Sequence, residues 1–135
     1  MADTTIRGIN VVIGAETTTL TAALADVNQA SRGIQGELSQ VQRLLRMDPG
    51  NTTLIAQQQK LLGNAVANSR DKLDRLRAAQ EQVNAQFRRG EISEGQYRAF
   101  QREVAASEQA LRRFEDRLGD TRRATNNLGE TIRRF

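Results

Sequence analysis

Apolar residues recur at alternating three- and four-residue steps along most of this chain. That spacing commits it to long helices, each needing a facing helix. The clearest run is Tyr97, Phe100, Val104, Ser107, Leu111, Phe114, Leu118, Thr121, Thr125, Leu128, Ile132 and Phe135, in which nine of twelve positions are apolar. A second run, Leu20, Leu24, Val27, Ser31, Ile34, Leu38, Val41 and Leu45, is broken only by Ser31. A third, Ile55, Gln59, Leu62, Val66, Ser69, Leu73, Leu76, Gln80, Val83 and Phe87, is diluted by Gln59, Ser69 and Gln80. Polar residues in such a seam cost stability but fix register or strand number. Two positions in seven make a narrow stripe, suited to a hairpin or slim bundle and too narrow for a broad core. The expected fold class is therefore all-α: long amphipathic helices in an antiparallel hairpin or slim coiled-coil bundle. The apolar seam residues are the candidate self-association surface. The last stripe reaches Phe135 without a cap, which predicts that more chain follows.

Local signals divide the helical region, taken as residues 16–135, into helices at about 17–46, 52–89 and 94–135. Thr17, Thr18 and Thr19 offer hydroxyls for an N-cap. Gly33 and Gly36 weaken the first helix by up to ~1 kcal/mol each relative to Ala. The stretch Met47-Asp48-Pro49-Gly50-Asn51 ends it, because Pro49 lacks an N–H donor and disfavours helix at Asp48. Two local geometries fit there: Asp48 capping a helix with Pro49 in its first position, or a type II Pro-Gly turn with Asn51 as the cap. Gly90 suits a left-handed C-cap. Ser93 and Gln96 have capping-box spacing, and Ile92 with Tyr97 occupy hydrophobic-staple positions, so a tight antiparallel corner is expected. Gly119-Asp120 is a weak point in the last helix, but the heptad register passes through it without a slip. At ~1.5 Å per residue these helices span about 45, 57 and 63 Å.

Residues 1–15 read differently. Ile9, Val11 and Ile13 alternate within a β-branched stretch from Ile6 to Gly14, which predicts one short N-terminal strand. No second strand is evident, so its expected partner is another copy, another protein or further chain. The alternative is an N-terminal arm with no fixed structure.

Composition argues against an enzyme. The chain contains neither Cys nor His, which removes thiolate sites, disulfides and the commonest general base and metal ligand. There is no phosphate-cradling Gly loop, nucleophile elbow or metal-ligand spacing. Glu115 and Asp116 are sequence neighbours and diverge on a helix. No cofactor and no metal are expected. No apolar run approaches the ~20 residues of a membrane span. Of the 20 basic residues, 18 are Arg, several in pairs: Arg88–Arg89, Arg112–Arg113, Arg122–Arg123 and Arg133–Arg134. Arg forks suit phosphate, so contact with DNA is one reading. The favoured reading is a solvated face. Sixteen acids are interleaved. Asp71–Arg75, Glu94–Arg98, Glu108–Arg112 and Glu130–Arg134 have the i,i+4 orientation worth about 0.2–0.5 kcal/mol each.

The ordered set of segments Ile6–Thr17, Leu20–Asn28, Gln42–Asn51, Gln57–Leu62, Lys72–Gln82 and Phe87–Arg102 resembles the start of phage tail tape measure proteins. The resemblance spans nearly the whole chain. It implies a structural virion protein that fills the tail tube and helps set tail length, present in few copies, often three. Tail tube protein and tail assembly chaperones are the implied partners, and the tail lumen and host cytoplasm during assembly are the implied locations. Membrane-active or wall-cleaving segments of that family would lie beyond Phe135. A corner at Gly90 argues against full extension here, so the segment reads as a folded N-terminal module, or as one whose corner opens inside the tube. The alternatives are a cytoplasmic coiled-coil adaptor or scaffold, and an Arg-rich nucleic-acid-binding module.

Overall fold

The computed structural model describes the backbone of residues 5–134 and the side chains as far as Asn126. The chain forms two strands, β1 (Asn10–Ile13) and β2 (Glu16–Thr19), then a single helical turn α1 (Leu20–Ala23) and three helices, α2 (Ala25–Met47), α3 (Thr52–Arg88) and α4 (Glu94–Arg134). It is an all-α bundle carrying a small antiparallel hairpin. No helix among the described residues is long and apolar enough to cross a membrane.

The N-terminal strand is not alone, which corrects the expectation of a strand without a partner in the chain. β1 pairs antiparallel with β2, placing Asn10 opposite Thr19 and Ile13 opposite Glu16. The two-residue loop is Gly14-Ala15, and Gly14 sits at φ +63°. Positive φ at the first loop position is what a type II′ hairpin turn requires, and its twist matches that of the strands. The threonines at 17–19 therefore serve first as strand residues, and only Thr19 acts as a helix cap, its hydroxyl accepting from the Ala22 N–H at 3.1 Å. The chain then bends at Leu24, between α1 and α2, where the Leu24 N–H is shared between the carbonyls of Leu20 and Thr21.

Local chemistry sets each remaining boundary. Asp48 to Asn51 form a β-turn in which the Asn51 N–H donates to the Asp48 carbonyl at 3.2 Å. Gly50 has negative φ, so this is not the type II geometry. Asn51 caps α3 by accepting from the Leu54 N–H at 3.1 Å. At the other end of α3, Gly90 at φ +74° closes a Schellman motif. There the Glu91 N–H donates to Gln86 O and the Gly90 N–H to Phe87 O. The Ser93–Gln96 capping box forms in both directions, at 3.0 and 2.7 Å. α4 then runs through Gly119 as one helix.

α3 is the central element, packed antiparallel against both α2 and α4. Contacts pair residues near the start of one helix with residues past the middle of its neighbour, such as Asp26 of α2 with Arg75 of α3 and Tyr97 of α4 with Asn84 of α3. At ~1.5 Å per residue, 41-residue α4 makes the bundle about 60 Å long. α2 flanks the first part of α3, while the hairpin and α1 flank its end.

Candidate interaction surface

The three seams meet inside one chain, in two clusters. The first joins Leu20, Leu24, Val27, Leu76, Val83 and Phe100, with Tyr97 and Val104 packed against it. The second joins Leu38, Val41, Leu62 and Phe114, flanked by Ile34, Leu45, Val66 and Leu118. Leu73 is buried but belongs to neither cluster, and Ile55 and Leu111 are half-buried outside both. Phe87 is partly exposed and stacks on Tyr97, with ring centroids 4.3 Å apart. The side chains of Leu128, Ile132 and Phe135 lie outside the described residues.

Several core residues lie off the heptad seams. Ile9 and Val11 come from the hairpin region and Ile92 from the corner. Leu61, Ala65 and Ala79 form a second stripe on α3. A helix with a neighbour on each side needs a wider apolar face than a coiled-coil seam. The signal was the series Leu61, Ala65, Leu76, Ala79 and Val83, in which alanines stand beside the heptad positions.

Polar side chains tie the hairpin to the helices. Gln82 of α3 accepts from the Val12 N–H at 2.7 Å and donates to the Val12 carbonyl at 3.0 Å. Gln86 donates to the Asn10 carbonyl at 2.6 Å. Gln96, besides its part in the capping box, donates to the Arg7 carbonyl at 2.7 Å. No buried side-chain nitrogen or oxygen among the described residues is left without a partner.

Charge also serves the packing. Arg75 reaches from α3 to Asp26 of α2 at 2.6 Å, to Asp71 on its own helix, and to the carbonyl of Ala23. The hydrogen bond from Arg75 holds the Asp26 carboxyl below its ordinary value, and the same bond raises the Arg75 guanidinium. Lys72–Glu103 and Arg77–Glu108 bridge α3 to α4. Of the four expected i,i+4 pairs, Asp71–Arg75 and Glu94–Arg98 form. Glu108 turns to Arg77 on the neighbouring helix, and Glu130–Arg134 lies outside the described side chains. Such exposed bridges contribute little each.

Among the described residues, exposed apolar side chains stand at both ends of the bundle. At the hairpin tip, Val12 and Ile13 are 50% and 58% exposed. At the opposite end, Leu44 and Met47 are exposed, and a groove of about 570 Å³ is lined by Leu45, Pro49, Ile55 and Ala124 together with the polar Gln59, Asp120 and Thr125. Among the described residues no group of three or more Asp, Glu, Cys or His side chains could hold a metal ion.

Comparison with known proteins gives a partial similarity. Over 67 residues, half of this chain, it is 39% identical to the probable tape measure protein of Lactococcus phage SK1. The aligned stretch is about 7% of that relative's length. No protein-family profile matches the chain. No solved structure matches it. The similarity marks a distant relation, confined to a small part of a much longer protein.

Proposed function

We propose that this chain is a structural module of a tape measure-like tail protein, acting in tail assembly and in the virion. The observation that carries the reading is the 39% identity over 67 residues to the phage protein. The resemblance of the ordered segments from Ile6 to Arg102 supports it. In this reading the module works folded. The seams hold α2, α3 and α4 together within a chain. Copies, tail tube protein and assembly chaperones meet the module through the exposed tip at Val12 and Ile13 and the groove near Met47. If the corners at Asp48–Asn51 and Gly90 open, the same seam residues become the surface through which a few copies pair.

The test is mass spectrometry of tails purified from the phage or prophage that encodes the chain. Peptides from residues 1–135 in mature tails, or in tail precursors stalled before completion, support the reading. Complete, normal tails from a mutant lacking the gene would overturn it. The nucleic-acid reading has less support, because Arg75, Arg77, Arg89, Arg98 and Arg123 all face acidic partners.

A further inference from the structure

Arginines are matched with acids toward the hairpin end, where Arg75, Arg77 and Arg98 face Asp26, Glu108 and Glu94. Toward the other end a different set is left over. Arg32, Arg43 and Arg46 of α2 and Arg113 of α4 are exposed, and Arg117 of α4 is half-buried. None of these five takes part in an ion pair among the described residues.

Two clefts show where these arginines stand. Phe114 of α4 shares one cleft with Ile34 and Gln35 of α2, and Ala124 of α4 shares another with Leu45. Gln35 and Ala124 therefore mark the sides of α2 and α4 that look toward each other. At about 100° per residue, Arg32, Arg43 and Arg46 fall within about 80° of Gln35, and Arg113 and Arg117 within about 20° of Ala124. The Arg113 guanidinium lies 5.9 Å from the centre of the Phe114 ring, on that same side. Because α2 and α4 are both antiparallel to α3, they run parallel, and the five arginines form one stripe. From Arg32 to Arg46 it extends about 21 Å along α2. The nearby acids are turned away or matched. Glu37 lines a cleft with Lys60 on the α3 side of α2, Glu115 falls opposite Ala124 on α4, and Asp120 is paired with Arg123. Asp116 is left on the rim against five arginines.

We propose that Arg32, Arg43, Arg46, Arg113 and Arg117 form a surface for the phosphate backbone of duplex nucleic acid. Arginine forks match phosphate oxygens in pairs and keep their charge at any working pH. A duplex carries one phosphate charge per ~1.7 Å of its axis, so a stripe of this length faces several. Phe114, the aromatic residue beneath the stripe, is buried, which leaves no ring on which the bases of a single strand could stack. Contacts to phosphate position a duplex without reading its sequence. These are not the arginines that face acids, and the inference does not depend on the tail-protein reading.

The experiment measures fluorescence anisotropy of a labelled DNA duplex of arbitrary sequence with three full chains, helix content being verified by far-UV circular dichroism. They are the parent, the face variant Arg32→Gln/Arg46→Gln/Arg113→Gln/Arg117→Gln, and the control Arg7→Gln/Arg70→Gln/Arg88→Gln/Arg122→Gln. The control removes the same charge from exposed positions off the α2–α4 face. The parent is expected to bind at 50 mM salt and to weaken by up to about 500-fold at 200 mM, the consequence of five phosphate contacts. The face variant should bind at least about tenfold more weakly than the parent, and the control within about threefold of it. No saturable binding by the parent overturns the proposal, as does an equal loss in both variants, which would be an effect of net charge alone. Displacement of the duplex by polyglutamate as readily as by unlabelled duplex overturns it in favour of an acidic protein surface. If the face variant loses helix content, Arg113→Gln/Arg117→Gln is compared with Arg7→Gln/Arg88→Gln, and the same outcomes apply.

Discussion

The two ends of the bundle are built from the same central helix but are sealed unequally. Among the described residues, six of the seven most completely buried large side chains, Phe100, Ile9, Leu20, Leu24, Leu76 and Val83, lie in the cluster beneath the hairpin. Only Leu62 belongs to the cluster between α2, α3 and α4. The hairpin end is enclosed by strand, single-turn helix, corner and both long helices. The other end has the helix seams and the Leu61 and Ala65 stripe but no covering element, and Leu44 and Met47 remain in solvent. A coiled-coil stripe suffices to align helices, but an element of a different kind is needed to exclude water.

Core truncation should expose that asymmetry most strongly. Phe100→Ala is expected to cost about 3–5 kcal/mol in denaturant unfolding, whereas Leu38→Ala should fall near the low end of the ~2–5 kcal/mol range for such sites. Equal losses would mean that the difference in burial does not set the difference in stability. Ser93→Ala removes the cap that joins the corner to the hairpin end and should cost about 1 kcal/mol. Thermal melts of the purified variant measure it. At the other end the expected sign reverses. Gly33 and Gly36 lie in α2 with nothing near the space a Cβ would take. Each Gly→Ala change there should stabilise by about 0.5–1 kcal/mol, read as a rise in the unfolding midpoint.

The smallest effect is expected at Asp26, which joins the start of α2 to α3 at the hairpin end. Its carboxyl is held below the ordinary value by Arg75. A depressed value contributes stability above the unfolded carboxylate pKa of about 3.9, and loses it as pH falls through the lower folded value. The stability gap between the parent and Asp26→Asn should therefore be present near neutrality and close below about pH 4, followed by urea titrations across that window. A gap that widened on acidification would contradict the role given to Arg75.

What was legible in the sequence follows from range. Helix periodicity and caps act over three to seven residues, so the seams, the Ser93–Gln96 box and the Gly90 terminus could be read directly. The hairpin was harder. Each strand has four residues, and the threonines at 17–19 fit a helix cap as well as a strand. The Gly-Ala pair at 14–15 was the available sign, since glycine leads a two-residue loop between β-branched runs. The docking of that hairpin was beyond local signals, because Gln82 lies 70 residues from Val12. The second apolar stripe on α3 was hidden for a similar reason: Leu61, Ala65 and Ala79 acquire meaning only when α3 has a helix on each side.

The central claim is that the seams close within one chain. Small-angle X-ray scattering combined with light scattering on the purified chain tests it most directly. A monomer with a maximum dimension of about 60–70 Å is expected, from a helix of 41 residues at about 1.5 Å per residue plus the turns. An elongated oligomer well beyond about 100 Å, the length of two or more such helices end to end, would show the seams pairing between chains and contradict it.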